Sequence, residues 1–293
     1  MPTLQQIIAE KSNRLEAIPN KLINSVDKIQ KGIFEELMGL IESLDTKDGK
    51  ILLNKKNLVK IEGIVGKLSE SVFGGEYIEA IESFAREFNT QAAINNAYFE
   101  KVFSDEFIEK ALYDNILKGA QRNAVELLSE AGINTAFTVP LKNILTTSVS
   151  TGQSFGDTVK ALRTFIEGNS EIDGTLLRHV KQVARDGFSF ADRQYTNIIA
   201  NDLGVEWYLY SGGRVTDTRE FCRLRQGLYF HKKEVEKWAN SPWQGKASGT
   251  TSSTIFTFAG GYNCMHSILP VSKFSVPKEV IQRNINNGNY KVS

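Results

Sequence analysis

Thiols and imidazoles are scarce in this 293-residue chain, with two Cys and three His in all, and three of those five side chains fall in two short segments. Residues 216–227 hold Asp217, Arg219, Glu220, Cys222 and Gly227, and residues 260–266 hold Gly260, Gly261, Asn263, Cys264 and His266. Cys222, Cys264 and His266 can supply three ligands to Zn²⁺, which prefers tetrahedral thiolate and imidazole donors, with Asp217 or His231 as a fourth. Structural zinc sites often close with C-x-x-C knuckles, and the chain has none. The same residues also read as two small buried thiols and a histidine hydrogen-bonded in its turn. An enzymatic reading sets Asp217, Arg219, Cys222 and His266 in a cleft as base, anion clamp and nucleophile. No phosphate loop or nucleophile elbow accompanies them. No catalytic or cofactor-binding residue is therefore assigned, and zinc is the one cofactor that these side chains suggest.

Particular elements must position these groups. Residues 205–210 (Val-Glu-Trp-Tyr-Leu-Tyr) are β-branched and aromatic and are closed by Gly212 and Gly213, which predicts a strand. After it, Asp217 suits an N-cap, Glu220 stands at capping-box spacing, and Gly227 suits a left-handed C′ position, so one short helix should carry Cys222. Residues 254–258 and 267–271 read as two further strands, with Pro270 confining the second to an edge or a strand end. The stretch 240–254 is rich in small polar residues and predicts a flexible surface loop, where Trp243 either anchors an interface or folds back. Upstream, Ser154 and Asp157 stand in capping-box spacing before a helix over 155–167. A second helix is expected over 174–201, with Gly187 weakening its middle.

From residue 3 to about residue 131 the apolar residues recur at helical spacing, as in Ile33, Leu37, Leu40, Ile41 and Leu44. Breaks are expected at Pro19, at the turn over 45–50, at Gly74 and Gly75, and at Gly132 after a long segment 105–131, giving four or five helices. The turn over 45–50 is no calcium loop, because Lys47 and Lys50 stand where such a loop needs a carboxylate or amide and a glycine. These helices show no repeat and no convergent polar cluster, so their apolar faces predict core or a docking surface. The expected fold class is α+β: a mostly α-helical docking region over 1–150, then a small α+β domain over 151–293 with a short antiparallel or mixed sheet.

The net charge of +1 hides an asymmetry. Residues 173–293 carry 16 Lys and Arg against 10 Asp and Glu, a net of +6, which leaves residues 1–172 at −5. Six excess charges without a dense cluster favour ordinary solvation over a nucleic-acid footprint. The opening residues MPTLQQIIAEKSN lack the apolar run of a signal peptide, and no run approaches the ~20 residues of a membrane span. The expected location is therefore cytoplasm, or a particle assembled there, with the cysteines reduced.

One order of elements is specific. A strand, a D-x-R-x-x-C element at Asp217, Arg219 and Cys222, then Gly227, a variable insertion, Asn263-Cys264-x-His266 and a Pro-containing strand together resemble the phage Mu F-like head morphogenesis family of tailed bacteriophages. The G-x-S at Gly152 to Ser154 and Ala184-Arg185-Asp186 also look like that family, and the resemblance spans residues 150–272. Family members often have a second Cys before the turn and His-Pro ahead of the later Cys. Here Cys222 stands alone and Gly261-Tyr262 occupies the second place. The resemblance implies a minor structural protein of the phage head, not an enzyme. It would be associated with portal or capsid proteins in several copies per virion, located in the virion after assembly in host cytoplasm, and needed for head assembly or genome delivery. It makes Asp217, Arg219, Gly227, Gly260, Gly261 and Asn263 residues of a structural motif. Two alternatives stand beside it: a DNA-binding or zinc-binding module acting on packaged DNA, and an enzyme using Asp217, Arg219 and His266.

Overall fold

The computed structural model describes residues 2–104, 111–213 and 215–291. In chain order the helices are α1 (Leu4–Ile41), α2 (Lys55–Val72), α3 (Gly75–Val102), α4 (Ala111–Leu128), α5 (Glu130–Ile133), α6 (Val139–Ser150), α7 (Phe155–Ile166), α8 (Thr175–Asp202), α9 (Glu220–Arg223), α10 (Lys232–Trp238), α11 (Ile255–Phe258) and α12 (Lys278–Asn286). The strands are β1 (Thr46–Lys47), β2 (Lys50–Ile51), β3 (Trp207–Ser211), β4 (Tyr229–His231) and β5 (Ser267–Pro270). The chain is thus α+β and mostly helical, with a two-stranded and a three-stranded antiparallel sheet. No helix among the described residues is long and apolar enough to cross a membrane.

Two compact units emerge, each assembled from separated segments: Met1–Ile18, Arg86–Arg122 and Arg185–Ser293 in the first, Pro19–Ala85 and Asn123–Ala184 in the second. The boundary expected between residues 150 and 151 falls inside the second unit.

The second unit is helical. Leu22, Ile23, Val26, Ile33, Phe34, Leu37 and Ile41 of α1 are buried, as are Ile61, Ile64 and Leu68 of α2 and Leu141, Leu145 and Val149 of α6. At roughly 1.5–3 kcal/mol per fully buried apolar side chain, these stripes determine which faces turn inward. Asp48 and Gly49, both at positive φ, make the tight turn between β1 and β2, the conformation that Asp-Gly favours in hairpins. Buried Asn57 closes the hairpin base by accepting from Asp45 N–H at 2.9 Å and donating to the carbonyls of Asp45 and Leu52 at 2.9 and 2.8 Å. Before α7, Ser154 Oγ accepts from Asp157 N–H at 3.0 Å as expected, while the Asp157 carboxylate accepts from the Ser154 hydroxyl at 2.7 Å.

Two expected helix breaks resolve differently. Pro19 lies inside α1; an internal proline costs ~3 kcal/mol or more, and burial of Leu15, Leu22, Ile23 and Val26 around it outweighs that. The break expected at Gly132 falls instead at Ser129, between α4 and α5. Gly132 sits within α5 because a Cβ there would lie 2.1 Å from the Leu127 carbonyl oxygen. Of the helix expected over 105–131, residues 105–110 lie outside the described residues.

In the first unit, β3 is the middle strand, flanked by β4 and β5 in the order β4-β3-β5. Its side chains alternate, as strand geometry requires. Trp207 and Leu209 pack with Tyr229, Val271, Val276, Val280, Ile281 and Tyr290 on one face. On the other, Tyr208 meets Phe256 at 4.9 Å and Tyr210 meets His266 at 5.4 Å and Trp238 at 5.9 Å. Pro270 ends β5 at an edge, as its missing N–H demands. Residues 254–258 correct the strand expectation: they form the single helical turn α11. Thr251 N–H donates to Thr254 Oγ1 at 2.7 Å and the Thr254 hydroxyl to the Gly249 carbonyl at 2.8 Å, which favours a turn over a strand entry. The sequence reading contains neither β4 nor α10, which follow Gly227 directly.

The first unit also overturns the expectation that the helices before residue 150 bring no polar groups together. Lys11 of α1 and Gln91 and Asn95 of α3 converge with Asp192 and Thr196 of α8, all buried. The Lys11 ammonium donates to Asn95, to Asp192 Oδ1 at 2.7 Å and to Thr196 at 3.0 Å. Gln91 and Asn95 also donate to Asp192 Oδ1, each at 2.9 Å. Burial pushes the Lys11 pKa down, and the adjacent Asp192 carboxylate opposes that shift.

Candidate metal centre

Three pieces of chain bring the ligand candidates together. Val215 and Thr218 form a closed turn, Val215 N–H donating to Thr218 Oγ1 at 2.8 Å and Thr218 N–H to the Val215 carbonyl at 3.0 Å. The single turn α9 follows and buries Phe221 and Cys222. Gly227 takes the left-handed conformation, φ +77°, and its N–H reaches the Tyr210 carbonyl at 2.8 Å, which fixes α9 against β3. On the far side of the insertion the loop into β5 is contorted: Ala259, Gly261 and Asn263 have φ of +47°, +96° and +56°. A non-glycine residue held there costs on the order of 1–3 kcal/mol, so surrounding contacts must impose it. Asn263 N–H donates to Asp186 Oδ1 at 2.6 Å, and Arg193, itself buried, donates to the Cys264 and Thr257 carbonyls.

The sulfurs of Cys222 and Cys264 lie 3.8 Å apart, and Cys264 Sγ lies 3.7 Å from His266 Nδ1. All three ligand atoms fall within 4.8 Å of one another, and all three residues are buried. Tetrahedral zinc, with Zn–S of ~2.3 Å and Zn–N of ~2.0–2.1 Å, would separate two sulfurs by ~3.8 Å and a sulfur from a nitrogen by ~3.6 Å. Gly260 makes room for the pair, because a Cβ at that position would come within 2.5 Å of Cys222 Sγ and 2.6 Å of Cys264 Sγ. The Tyr210 hydroxyl donates to Cys222 Sγ at 3.2 Å. His266 Nε2 and Asp186 Oδ2 are buried without a hydrogen-bond partner among the described residues.

The electrostatics divide the two thiols. The hydrogen bond from Cys222, helped by His266 and by the Arg193 cation, holds the Cys264 thiol well below its ordinary range against the effect of burial. The same hydrogen bond and burial push Cys222 up. Burial raises the Tyr210 phenol and keeps it a donor, and burial likewise raises the Asp186 carboxyl.

The remaining expected residues are dispersed or differently employed. Asp217 is exposed in the turn before α9 and does not cap it: Arg219 occupies the N-cap position, with no side-chain cap bond. The Arg219 guanidinium donates to the Tyr262 carbonyl at 2.7 Å, and Gly245 packs so closely on it that a Cβ there would lie 2.6 Å from Nε. Neither Asp217 nor His231 joins the metal-type group, so neither serves as its fourth ligand. His231 instead caps α10, its Nδ1 accepting from Lys233 N–H at 3.2 Å, with its ring 5.0 Å from that of Trp207. Trp243 folds back, stacking on Phe221 at 4.1 Å and donating to the Gly260 carbonyl at 3.0 Å.

Sequence reasoning passed over Arg193 entirely and took Tyr210 only for a strand residue. One signal was available on α8, where Asp186, Ser189, Arg193 and Thr196 recur at the spacing of an inward stripe; polar residues there require partners in the interior. The chain matches no family model, no curated protein and no solved structure.

Proposed function

We propose that the chain is a minor structural protein of a tailed-phage head, associated with the portal or inner capsid and acting in head assembly or genome delivery rather than in turnover of a substrate. The observation that carries this reading is the use made of the motif. Arg219, Cys222, Asn263, Cys264 and His266, on which the resemblance rests, interlock α9 with the loop entering β5 through buried contacts. Such a motif defines a fold, and a fold-defining motif is what a particle component shares with its relatives. Asp217 is exposed and does not join the buried group of Cys222, Cys264 and His266, which disfavours the alternative of a joint acid–base and nucleophilic site.

Mass spectrometry of purified particles from the encoding phage or prophage tests the reading. The chain should be present in several copies per particle, and deleting it should lower the yield of filled heads or of infectious particles. Absence from purified particles, with normal heads after deletion, would overturn it.

A further inference from the structure

We propose that Cys222, Cys264 and His266 bind one Zn²⁺ ion. Three independent features point there. The donor set is soft thiolate and imidazole, which favours zinc over magnesium or calcium. The spacings of 3.8 and 3.7 Å match two edges of a zinc tetrahedron, and the third pair of ligand atoms lies within 4.8 Å. The backbone at Gly260 gives up a side chain exactly where the two sulfurs need to approach, since a Cβ would come within 2.6 Å of both.

Charge balance agrees with this assignment. Two thiolates 3.8 Å apart in a buried site repel each other strongly, and a divalent cation between them neutralises both. Tyr210 supplies the outer contact expected around a metal ligand through its hydrogen bond to Cys222 Sγ. Among the described residues no other Cys, His, Asp or Glu joins the group, so the three named side chains are the donors of those types. The site is independent of the phage reading and stands or falls without it.

The test uses the full chain, reduced and stripped of metal, titrated with Co²⁺ and then displaced by Zn²⁺. The expected result is saturation at one equivalent, with a thiolate-to-cobalt charge-transfer band, intense tetrahedral d–d bands, and loss of both on adding zinc. Cys264→Ser and Cys222→Ser should each weaken the charge-transfer band, while His231→Gln should leave the spectrum unchanged. Because the cysteine variants can fail to fold, the wild type gives a second readout: loaded with zinc, freed of excess metal and then denatured beside a metallochromic indicator, it should release one equivalent of zinc. A weak octahedral cobalt spectrum, or no zinc retained through removal of excess metal, would overturn the proposal and leave a metal-free thiol pair.

Discussion

The first unit holds two buried polar clusters, and they are built on opposite principles. Around Lys11 the protein supplies the partners itself: the ammonium uses three acceptors, and Asp192 Oδ1 collects three donors. Around Cys222 and Cys264 the side chains are soft, and the sulfurs sit at coordination spacing with His266 Nδ1 beside Cys264. The first cluster binds α1 and α3 to α8 by hydrogen bonds already made. The second gains most from an ion that the chain does not supply. Burial of polar groups alone therefore does not mark a site, whereas the chemistry of the donors and their spacing do.

The largest effect should come from the first cluster. Lys11→Met strands the Asp192 carboxylate in the interior and should cost about 3–5 kcal/mol in denaturant unfolding, equally with and without zinc. Pairing it with Asp192→Leu should recover much of that loss, because two apolar groups need no partners. A zinc-dependent loss for Lys11→Met would erase the distinction between the clusters.

Gly260→Ala probes the second cluster at smaller cost. Its Cβ must displace one or both sulfurs, so about 1–3 kcal/mol of overpacking is expected in thermal unfolding. The cobalt charge-transfer band should be lost as well. A variant of wild-type stability that still bound cobalt would show that the close approach at Gly260 does not organise the thiols.

A weaker effect is expected at His231, which belongs to neither cluster. Burial lowers its pKa from the ordinary 6.5, although Glu206 opposes the shift. Between the lowered folded value and 6.5 the unfolded chain binds more protons, so the contribution of His231 is complete above 6.5 and is lost as pH falls through that window. Stability measured from pH 8 downward should decline below about 6.5, and the His231→Gln variant should lack this component. An identical profile for that variant would remove His231 as its source. The smallest effect belongs to Asp217, which is exposed and caps nothing: Asp217→Ala should change the melting free energy by no more than about 0.5 kcal/mol. A loss near the ~1 kcal/mol of a missing N-cap would restore its capping role.

Much of this was legible beforehand, for reasons specific to each element. The hydrophobic stripe of α1, the Ser154–Asp157 start of α7 and the β-branched and aromatic run of β3 are local signals, and each element formed where its signal lay. The pairing of Cys222 with Cys264 and His266 was legible only through the order of the motif, since 42 residues separate the two thiols. The Lys11 network was invisible because its members come from three distant helices and no spacing rule links them. The strand expected over 254–258 failed because so short a stretch has no usable period, and the Thr254 hydroxyl, accepting from Thr251 N–H and donating to the Gly249 carbonyl, favours a turn. Pro19 misled because intrinsic propensity yields to burial on both sides of it.

The most direct test of the contrast between the two clusters is the thermal unfolding of one reduced, metal-stripped preparation of the full chain, with and without a stoichiometric amount of Zn²⁺. Zinc that binds the folded chain at Cys222, Cys264 and His266 must raise the melting temperature. The same increment should appear in His231→Gln and vanish in Cys264→Ser. Superimposable melting curves with and without zinc, from a chain whose two thiols remain reduced, would contradict the account.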